Sequence, residues 1–339
     1  MSHAKPYKVG FLLLRDFSYF GLIAAIQPLF LANWRAQRPL FSWVTLSLDG
    51  LPVRASNGGD IAVDAGLGAR PQLRTLLVLA CFEPKQHVGN ARLRSVLLRA
   101  AAAGVELGGI ETGSEVLAAA GLLDGRIAAV HWENLDGFRE RYARVHAREQ
   151  LYHAAPGRLT CAGGTSVLDM MLHLVRREAG TALSEEVAQE MLLGQPRPPT
   201  QKQLAEPQAS PRSPNALVRA AISFMSRNLD EPLSVDELAQ RLAVSARHLR
   251  RHFRAWTGTT TTRYYMTLRL SRAHNLLEQT ELSVTEVAIT SGFRSLEHFS
   301  RVYRGAFGCT PSSDRRQSMS APLFRRKDLI PVRALSRAK

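Results

Sequence analysis

Four arginines recur at helical spacing in the last third of the chain. They are Arg247, Arg250, Arg251 and Arg254, and intervals of three and four residues place side chains on one side of an α-helix. A guanidinium group is a planar fork that can pair with O6 and N7 of guanine, or with a phosphate, through two hydrogen bonds at once. The cluster predicts nucleic-acid recognition, and the alternative is a basic helix face that is only solvated.

A second helical stretch, 49 to 50 residues later, offers a different chemistry. Glu297 could accept a hydrogen bond from N4 of cytosine, and Leu296 could contact a thymine methyl group. We therefore expect this helix to read bases. Its outward-facing set is less basic than the first and consists of Leu296, Glu297, Ser300, Arg301 and Arg304.

The two stretches belong to an internal repeat, in which LSVDELAQRLAVSARHLRRHFRAWTG at 233–258 is similar to LSVTEVAITSGFRSLEHFSRVYRGAFG at 282–308. Each copy opens with a serine and, three residues later, a glutamate, which together form a capping box and start a helix. A short turn and a second helix follow, as in a helix-turn-helix. The capping pairs are Ser234 with Glu237 and Ser283 with Glu286.

Apolar residues at helical spacing determine how these helices must pack. Within each second helix, two large side chains four residues apart should face inward and leave the polar residues above on the outside. Residues 262–279, between the copies, predict one connecting helix of about 27 Å. This length is comparable to the distance of about 34 Å between successive major grooves on one face of DNA. The inward pairs are Leu249 with Phe253 and Phe299 with Tyr303.

The charge of the chain is concentrated in the same region. The formal net charge is 44 − 29 = +15, and residues 211–339 carry 22 basic and 10 acidic side chains, or +12. Residues 1–210 carry 22 basic and 19 acidic side chains, or +3. A basic C-terminal third is typical of a partner for a polyanion, meaning nucleic acid or an anionic membrane.

Proline clusters and a change of pattern predict the domain organisation. Six prolines in the stretch from Gly194 to Asn215 indicate a linker, because they exclude a helix and build no core. Upstream, strand-like apolar runs alternate with helical patterns, which predicts a flavodoxin-like α/β domain with a largely parallel sheet. Downstream, helical spacing alone predicts an all-α domain. The limits are 1–193 for the α/β domain, 194–213 for the linker, 214–316 for the helical domain and 317–339 for a basic, disordered tail.

Several classes of protein are excluded by what the sequence lacks. The odd number of cysteines, Cys81, Cys161 and Cys309, and their wide spacing predict reduced thiols, with no disulfide framework, metal site or cofactor. No apolar run approaches the roughly 20 residues that span a bilayer, and the start MSHAKPYKVG lacks the order of a secretory signal. We therefore expect a cytoplasmic protein that does not bind a membrane.

The run from Gly292 to Pro311, GFRSLEHFSRVYRGAFGCTP, closely resembles the signature of AraC/XylS transcription regulators. The resemblance extends over roughly 214–316 and implies a DNA-binding domain with two helix-turn-helix motifs. One departure is Asp314, which stands where an aromatic residue usually precedes the closing arginine. DNA-contacting positions of the family fall on Arg247, Arg250 and Arg251, and on Leu296, Glu297, Ser300 and Arg301.

The N-terminal domain carries a second resemblance. Residues 109–126, and the stretch TCAGGT at 160–165, resemble the class I glutamine-amidotransferase-like fold of PfpI type, and with the C-terminal domain this is similar to the GlxA-like branch of AraC regulators. A buried strand over Val105–Ile110 should turn sharply at Glu111 into a helix. Catalytic relatives carry a cysteine at this elbow. Because Glu111 replaces it, thiol chemistry is lost and no catalytic residue is predicted.

An acidic group at this position suggests a ligand site instead of a catalytic one. Glu111 could pair with a cationic ligand while Trp132 lies against it, although Glu111 could also simply favour a helix N-terminus and Trp132 could belong to the core. The resemblance implies a nitrogenous effector such as arginine, glycine betaine or carnitine. The predicted ligand-binding residues are Glu111, Thr112, His131, Trp132, Ser18 and Phe20.

These expectations combine into a ligand-responsive, sequence-specific transcription regulator. Its expected partners are double-stranded DNA at promoters, a small-molecule effector, RNA polymerase and a second copy of the chain, and the resemblance favours activation over repression. One alternative is an amidase-like enzyme tethered to a DNA-binding domain. A membrane-surface protein is a weaker alternative, since no wide apolar face accompanies the charges.

Overall fold

The computed structural model describes residues 5–67, 72–81, 86–203 and 214–318. Contacts divide the chain into two compact units, Met1–Gln203 and Leu204–Lys339. Within the described ranges, no helix combines the length and the apolar character needed to cross a membrane.

A seven-stranded sheet forms the centre of the first unit. Its strands are β1 Tyr7–Leu13, β2 Phe41–Ser47, β5 Ala65–Gly66, β6 Thr75–Ala80, β7 Glu106–Glu111, β10 Tyr152–Ala155 and β11 Arg158–Cys161. Their order is β10-β11-β7-β6-β1-β2-β5, and only the β10–β11 pair is antiparallel. Two small sheets accompany it, formed by β3 Val53–Arg54 with β4 Asp60–Ile61 and by β8 Ile127–Ala129 with β9 His146–Arg148.

Helices cover both faces of this sheet because its central strands are apolar on both sides. On β6, Leu77 and Leu79 belong to one core, whereas Leu76 and Val78 belong to the other. The first core is covered by α1 Tyr19–Ala36, α5 Ser166–Ala179 and α6 Thr181–Glu190, and the second by α2 Ala91–Ala102, α3 Gly113–Ala119 and α4 Leu135–Arg141. The predicted α/β fold with a largely parallel sheet is confirmed.

The described part of the second unit is helical, as predicted. Its helices are α7 Pro214–Arg227, α8 Val235–Arg241, α9 Ala246–Thr257, α10 Thr261–Gln279, α11 Val284–Thr290, α12 Leu296–Phe307 and α13 Pro311–Ser318. Because α13 ends at Ser318, the helical unit extends past the predicted limit at 316.

The repeat produces two lobes with separate cores. Leu249 and Phe253 pack in the first lobe, and Phe299 and Tyr303 occupy the corresponding places in the second. Helix α10, which was predicted over 262–279, joins the lobes and contributes side chains to both cores. The two-motif helical fold is therefore confirmed.

The capping boxes start α8 and α11 as the sequence predicts. The Ser234 hydroxyl accepts a hydrogen bond from the Glu237 N–H at 3.2 Å, while the Glu237 carboxylate accepts from the Ser234 N–H at 2.7 Å. Ser283 and Glu286 repeat this arrangement at 3.2 Å and 2.6 Å. Each box satisfies two amides that the first helical turn would leave without partners.

The proline-rich segment differs from the prediction of a linker over 194–213. Residues 197–203 lie against the first unit, where the Leu151 N–H donates to the Pro199 carbonyl at 3.2 Å. We refer to residues 197–203 as the strap. Residues 204–213 lie outside the described residues, as does the predicted tail from 319 onward.

Candidate nucleic-acid interface and candidate ligand site

Helix α9 separates an apolar side from a basic side. Leu249 and Phe253 are fully buried. The four arginines predicted to contact DNA, Arg247, Arg250, Arg251 and Arg254, are all exposed. The helix holds no acidic residue, so these side chains form a continuous basic surface.

The contacts on this surface leave the arginines available to a ligand. The Arg250 guanidinium lies 4.0 Å from the Asp236 carboxylate, and both side chains are more than half exposed, which makes a weak ion pair. The rings of His248 and His252 contact each other in a tilted arrangement, with their centroids 4.3 Å apart. Partial burial lowers the pKa of His252, and the neighbouring His248 and Arg251 lower it further. His252 is therefore harder to protonate than a free imidazole, and the permanent positive charge of this surface comes from the arginines.

Helix α12 presents a mixed surface at the equivalent place in the second lobe. Phe299 and Tyr303 are buried, whereas Leu296 is 44% exposed although it is apolar. An exposed leucine at the start of such a helix is available for contact with a base methyl group. Of the remaining predicted residues, Glu297, Arg301 and Arg304 are exposed and Ser300 is half-buried.

A buried polar cluster fixes α12 to its neighbours. The Tyr303 hydroxyl donates to Asp314 Oδ2, and His274 Nδ1 lies 2.9 Å from the same oxygen. Burial and the Asp314 carboxylate raise the pKa of Tyr303 well above its usual range. Asp314 lies inside α13, so its departure from the aromatic pattern does not shorten that helix but links α13 to α12 and α10.

Arg269 of α10 holds the turn that precedes α12. Its guanidinium donates to the carbonyls of Ser291 at 3.0 Å and Gly292 at 2.6 Å, and its charge lies 4.1 Å from the centre of the Phe293 ring. Gly292 has φ +78°, and a Cβ there would lie 2.4 Å from the Leu229 carbonyl of the first lobe. The turn therefore tolerates only glycine, and it lies directly against the other lobe.

In the first unit, the sharp strand-to-helix turn lies where the sequence predicts it. Glu111 ends β7 with φ +55°, a left-handed conformation that is strained for a residue with a side chain. The turn requires close backbone contacts, because a Cβ on Gly109 would lie 2.3 Å from the Ser114 nitrogen and one on Gly113 would lie 2.0 Å from the Val78 carbonyl oxygen. These glycines bring the strand and the helix close enough to form an elbow.

The Glu111 carboxylate lies between two neighbouring strand ends. Cys81 Sγ donates to Glu111 Oε2 at 2.9 Å, and a Cβ added to Gly163 would lie only 2.2 Å from Glu111 Cγ. Thr112 Oγ1 donates to the Cys81 carbonyl at 2.5 Å. Glu111, Thr112, Cys81 and Gly163 therefore form one cluster at the carboxyl ends of β6, β7 and β11.

Cys161 lacks the lowered pKa that is typical of a reactive thiol. Cys81 and Cys161 are both buried, and burial raises the pKa of Cys161 to about 12. A thiol with so high a pKa stays protonated near pH 7 and is a weak nucleophile. The Cys81 thiol does more than fill space in the core, since it donates a hydrogen bond to the Glu111 carboxylate.

The other predicted ligand residues form two further groups. Ser18 caps α1 by accepting the Gly21 N–H at 3.0 Å, and Gly21 faces Ile110, the residue before Glu111. His131 and Trp132 pair with ring centroids 5.5 Å apart. The Trp132 backbone N–H donates to the Gln203 side chain at 2.8 Å, and within the described residues no hydrogen bond or ring contact joins Trp132 to Glu111. Phe20 is half exposed on α1.

A separate cleft of about 410 Å³ lies elsewhere on this unit. Two of the three arginines that line it pair with acids, Arg141 with Glu115 at 2.8 Å and Arg144 with Asp124 at 2.8 Å. None of the predicted ligand residues lines it. The cleft is therefore distinct from the cluster around Glu111.

Known proteins resemble the chain over both units. A family model described as a helix-turn-helix domain matches residues 238–317. The HTH-type transcriptional regulator CdhR of Pseudomonas aeruginosa is 41% identical over 305 residues, covering 90% of each chain. GlxA of Rhizobium meliloti, also an HTH-type transcriptional regulator, is 34% identical over 316 residues, covering 92% of this chain and 97% of GlxA.

A solved structure adds to these relatives. The crystal structure of an AraC family transcriptional regulator from Pseudomonas putida matches with a TM-score of 0.51 and 31% identity. The match covers 55% of this chain and 100% of that one.

Proposed function

The chain belongs to the AraC family of helix-turn-helix transcription regulators, on the branch of CdhR and GlxA, and from this premise we propose that it binds specific DNA sites and responds to a small nitrogenous cation. One observation carries the proposal for DNA. The same buried-and-exposed pattern recurs on α9 and α12, which leaves two equivalent polar helix faces in one unit.

We assign different roles to the two helices because their exposed side chains differ. Arg247, Arg250, Arg251 and Arg254 on α9 supply forks for phosphates and guanines. On α12, Leu296 and Glu297 supply the apolar and acceptor groups that distinguish thymine and cytosine. Each good base contact contributes about 1–3 kcal/mol of discrimination, so α12 gives more of the specificity and α9 more of the affinity.

The charge of the reading helices predicts a steep dependence on salt. Six exposed arginines lie on α9 and α12. If all six neutralise phosphates, the logarithm of the association constant should fall against the logarithm of salt concentration with a slope of about −5. In vitro selection followed by gel-shift competition against random DNA tests this proposal. Equal affinity for selected and random DNA at every salt concentration would exclude sequence-specific binding.

The proposed effector is a cation because Glu111 offers a negative charge that its neighbours do not neutralise. Its contacts in the described cluster are with the Cys81 thiol and with Gly163, neither of which is positively charged. Trp132 is 42% exposed, and an indole face attracts ammonium and guanidinium groups. Guanidinium and quaternary ammonium compounds would satisfy both features.

A thermal-shift screen of the full chain tests the effector class. The panel contains arginine, glycine betaine and carnitine, with leucine as the amino acid without a side-chain cation. At 100 times the dissociation constant, binding adds about 2.7 kcal/mol, which corresponds to a melting point higher by roughly 5–10 °C. Glu111→Gln should remove the shift, whereas Glu185→Gln on the exposed surface of α6 should not. Stabilisation that survives Glu111→Gln would contradict the proposal.

We propose that the elbow senses a ligand and does not catalyse hydrolysis. The turn has the conformation that presents a nucleophile in related enzymes, but the presented residue is Glu111, and Cys161 is a protonated, fully buried thiol. A test with Glu111→Ala separates the two functions. A sensor should lose effector-dependent transcription and keep DNA binding, whereas an amidase should lose turnover.

We propose that a second copy of the chain covers an apolar stripe on α1. The stripe is formed by Phe20, Ile23, Phe30 and Trp34, each about half exposed, and their spacing places them on one side of the helix. They leave roughly 400 Å² of apolar surface, about half of what each partner buries in a standard interface. A stripe of this size suits the centre of a dimer contact.

Sedimentation equilibrium tests the dimer. The wild-type chain should be a dimer, and Trp34→Glu should shift it to monomer, whereas a Trp34→Glu chain that stays dimeric would exclude this surface.

For the relation to RNA polymerase, we propose that the chain activates transcription at its promoters. Transcription in vitro from a selected site should rise with added chain, and a fall would indicate repression.

A further inference from the structure

The strap begins with a charged anchor on α5. The Arg197 guanidinium lies 2.6 Å from Asp169 Oδ2, and the Arg197 backbone N–H donates to Asp169 Oδ1 at 2.8 Å. The same guanidinium donates to Thr165 Oγ1 at 2.8 Å. The Asp169 side chain is only 7% exposed. A buried carboxylate needs such partners, so Arg197 is a specific partner for this position and not an incidental surface contact.

The strap ends with a second anchor, at Gln203. The Gln203 side-chain nitrogen donates to the carbonyls of Val130 at 2.7 Å and Gln150 at 2.9 Å, and its oxygen accepts the Trp132 N–H at 2.8 Å. One side chain therefore satisfies three backbone groups from two different loops. Because both the oxygen and the nitrogen of its amide are used, Gln203 holds the end of the strap against these two loops.

These two anchors lie on the two segments that carry the candidate effector residues. Thr165 and Asp169 lie two and six residues after Gly163, which lies against the Glu111 side chain. Trp132, the aromatic residue of the proposed effector site, donates its backbone N–H to Gln203 at the other anchor. Among the described residues no hydrogen bond joins Trp132 to Glu111, but the strap contacts both segments, at Thr165 through Arg197 and at Trp132 through Gln203.

We infer that Arg197 and Gln203 are positioning residues of the effector site, and that strap docking and effector binding stabilise each other. This inference rests on the function proposed above for Glu111 and Trp132. A docked strap holds both loops in place before the ligand arrives, and the ligand then loses less freedom on binding. By reciprocity, a bound ligand must strengthen docking by the same factor.

The consequence for DNA binding follows from the length of the connection. A docked strap leaves the ten residues 204–213 between Gln203 and the first residue of α7, Pro214. Release of the strap adds its seven residues, 197–203, to that connection. The connection that leads to the DNA-binding unit is thus seven residues shorter in sequence when the strap is docked.

Hydrogen exchange of the full chain, without any ligand, provides the first test. In the wild-type chain the amides of Trp132 and Arg197 should be protected by the bonds described above. Gln203→Ala should speed exchange of the Trp132 amide about tenfold or more, because the amide loses its acceptor and the strap loses an anchor. The matched control is Gln201→Ala, an exposed glutamine of the same strap. Equal exchange in wild type and Gln203→Ala would overturn docking by the strap.

A second variant covers the case in which one substitution disturbs folding. Arg197→Ala removes the other anchor, and its melting point reports any general loss of stability from leaving Asp169 without its partner. Exchange should increase in residues 162–166 and at Trp132 in both variants. If each variant affects only its own anchor, the strap does not couple the two loops and the inference is wrong.

A third measurement uses the compound among arginine, glycine betaine and carnitine that stabilises the wild-type chain. Its affinity should fall about tenfold in Gln203→Ala and remain unchanged in Gln201→Ala. Equal affinity in all three chains would refute the coupling while leaving the proposed effector class intact. If none of the three compounds binds, the effector class fails, and the exchange measurements still decide whether the strap joins the loops.

Discussion

Removing one hydroxyl group from the second lobe should weaken it by a calculable amount. Tyr303 is fully buried, and its hydroxyl donates to an Asp314 side chain that is only 10% exposed. Tyr303→Phe keeps the ring and its contacts with Phe299 and Phe307, at centroid distances of 5.4 Å and 4.5 Å. The substitution removes the hydrogen bond to the buried carboxylate together with the contact of the Tyr303 hydroxyl with His274 Nδ1 at 2.9 Å.

The size of the effect follows from the charge on the acceptor. Hydrogen bonds to charged groups contribute about 1.5–3 kcal/mol, so the opening equilibrium of the second lobe should rise roughly 10- to 150-fold. Native-state hydrogen exchange of α12 measures this opening directly. Affinity for a selected DNA site should stay nearly unchanged as long as the closed lobe remains the major state, because affinity scales with the closed fraction and not with the opening equilibrium.

A tyrosine of the first lobe provides the control. Burial raises the pKa of Tyr264, with no carboxylate among the causes, so Tyr264→Phe removes a hydroxyl without leaving a buried charge short of a donor. Exchange of α12 amides should be unchanged in Tyr264→Phe. The reasoning is refuted if Tyr303→Phe opens no more often than the wild-type chain, or if the two variants lose the same stability.

Three further predictions concern other parts of the chain. Gly163→Ala should destabilise the first unit by about 1–3 kcal/mol in urea unfolding, because φ is +101° and the new Cβ would displace the Glu111 side chain. Burial first, and the Glu115 charge second, raise the pKa of Tyr142 to about 12. The stability that the protonated Tyr142 contributes should therefore be intact below pH 10 and lost between about pH 10 and 12. Tyr142→Phe should lose less stability than the wild-type chain when unfolding is measured across this range. Arg301→Ala should reduce the magnitude of the salt slope of DNA binding by about 0.9, whereas Arg92→Ala in the first unit should leave the slope unchanged.

The features that the sequence predicts correctly rest on local rules. The capping pair Ser283 and Glu286 acts within one helical turn, and the inward pair Phe299 and Tyr303 follows from a four-residue interval. The glycines around Glu111 likewise act through their neighbours, which is why the elbow could be located in advance. Repetition of the local signals made the two-lobed architecture predictable.

The features that the sequence does not reveal depend on residues far apart in the chain. Asp314 looks like a departure from a pattern until His274, 40 residues away, is brought beside it. Gln203 lies in a proline-rich stretch, whose composition indicates a linker, yet its partner Trp132 is 71 residues away. Such pairs cannot be predicted from periodicity, because the residues around Gln203 and Asp314 show no local pattern that depends on a partner far away in the chain.

Hydroxyl-radical footprinting of the full chain on a selected DNA site tests the central claim, that α9 and α12 enter two adjacent major grooves of one duplex. We predict two protected patches for each bound lobe pair, on one face of the DNA and about one helical turn apart, with Arg301→Ala weakening only the patch read by α12. A single patch, or two patches that both persist unchanged in Arg301→Ala and in Arg250→Ala, would contradict the account.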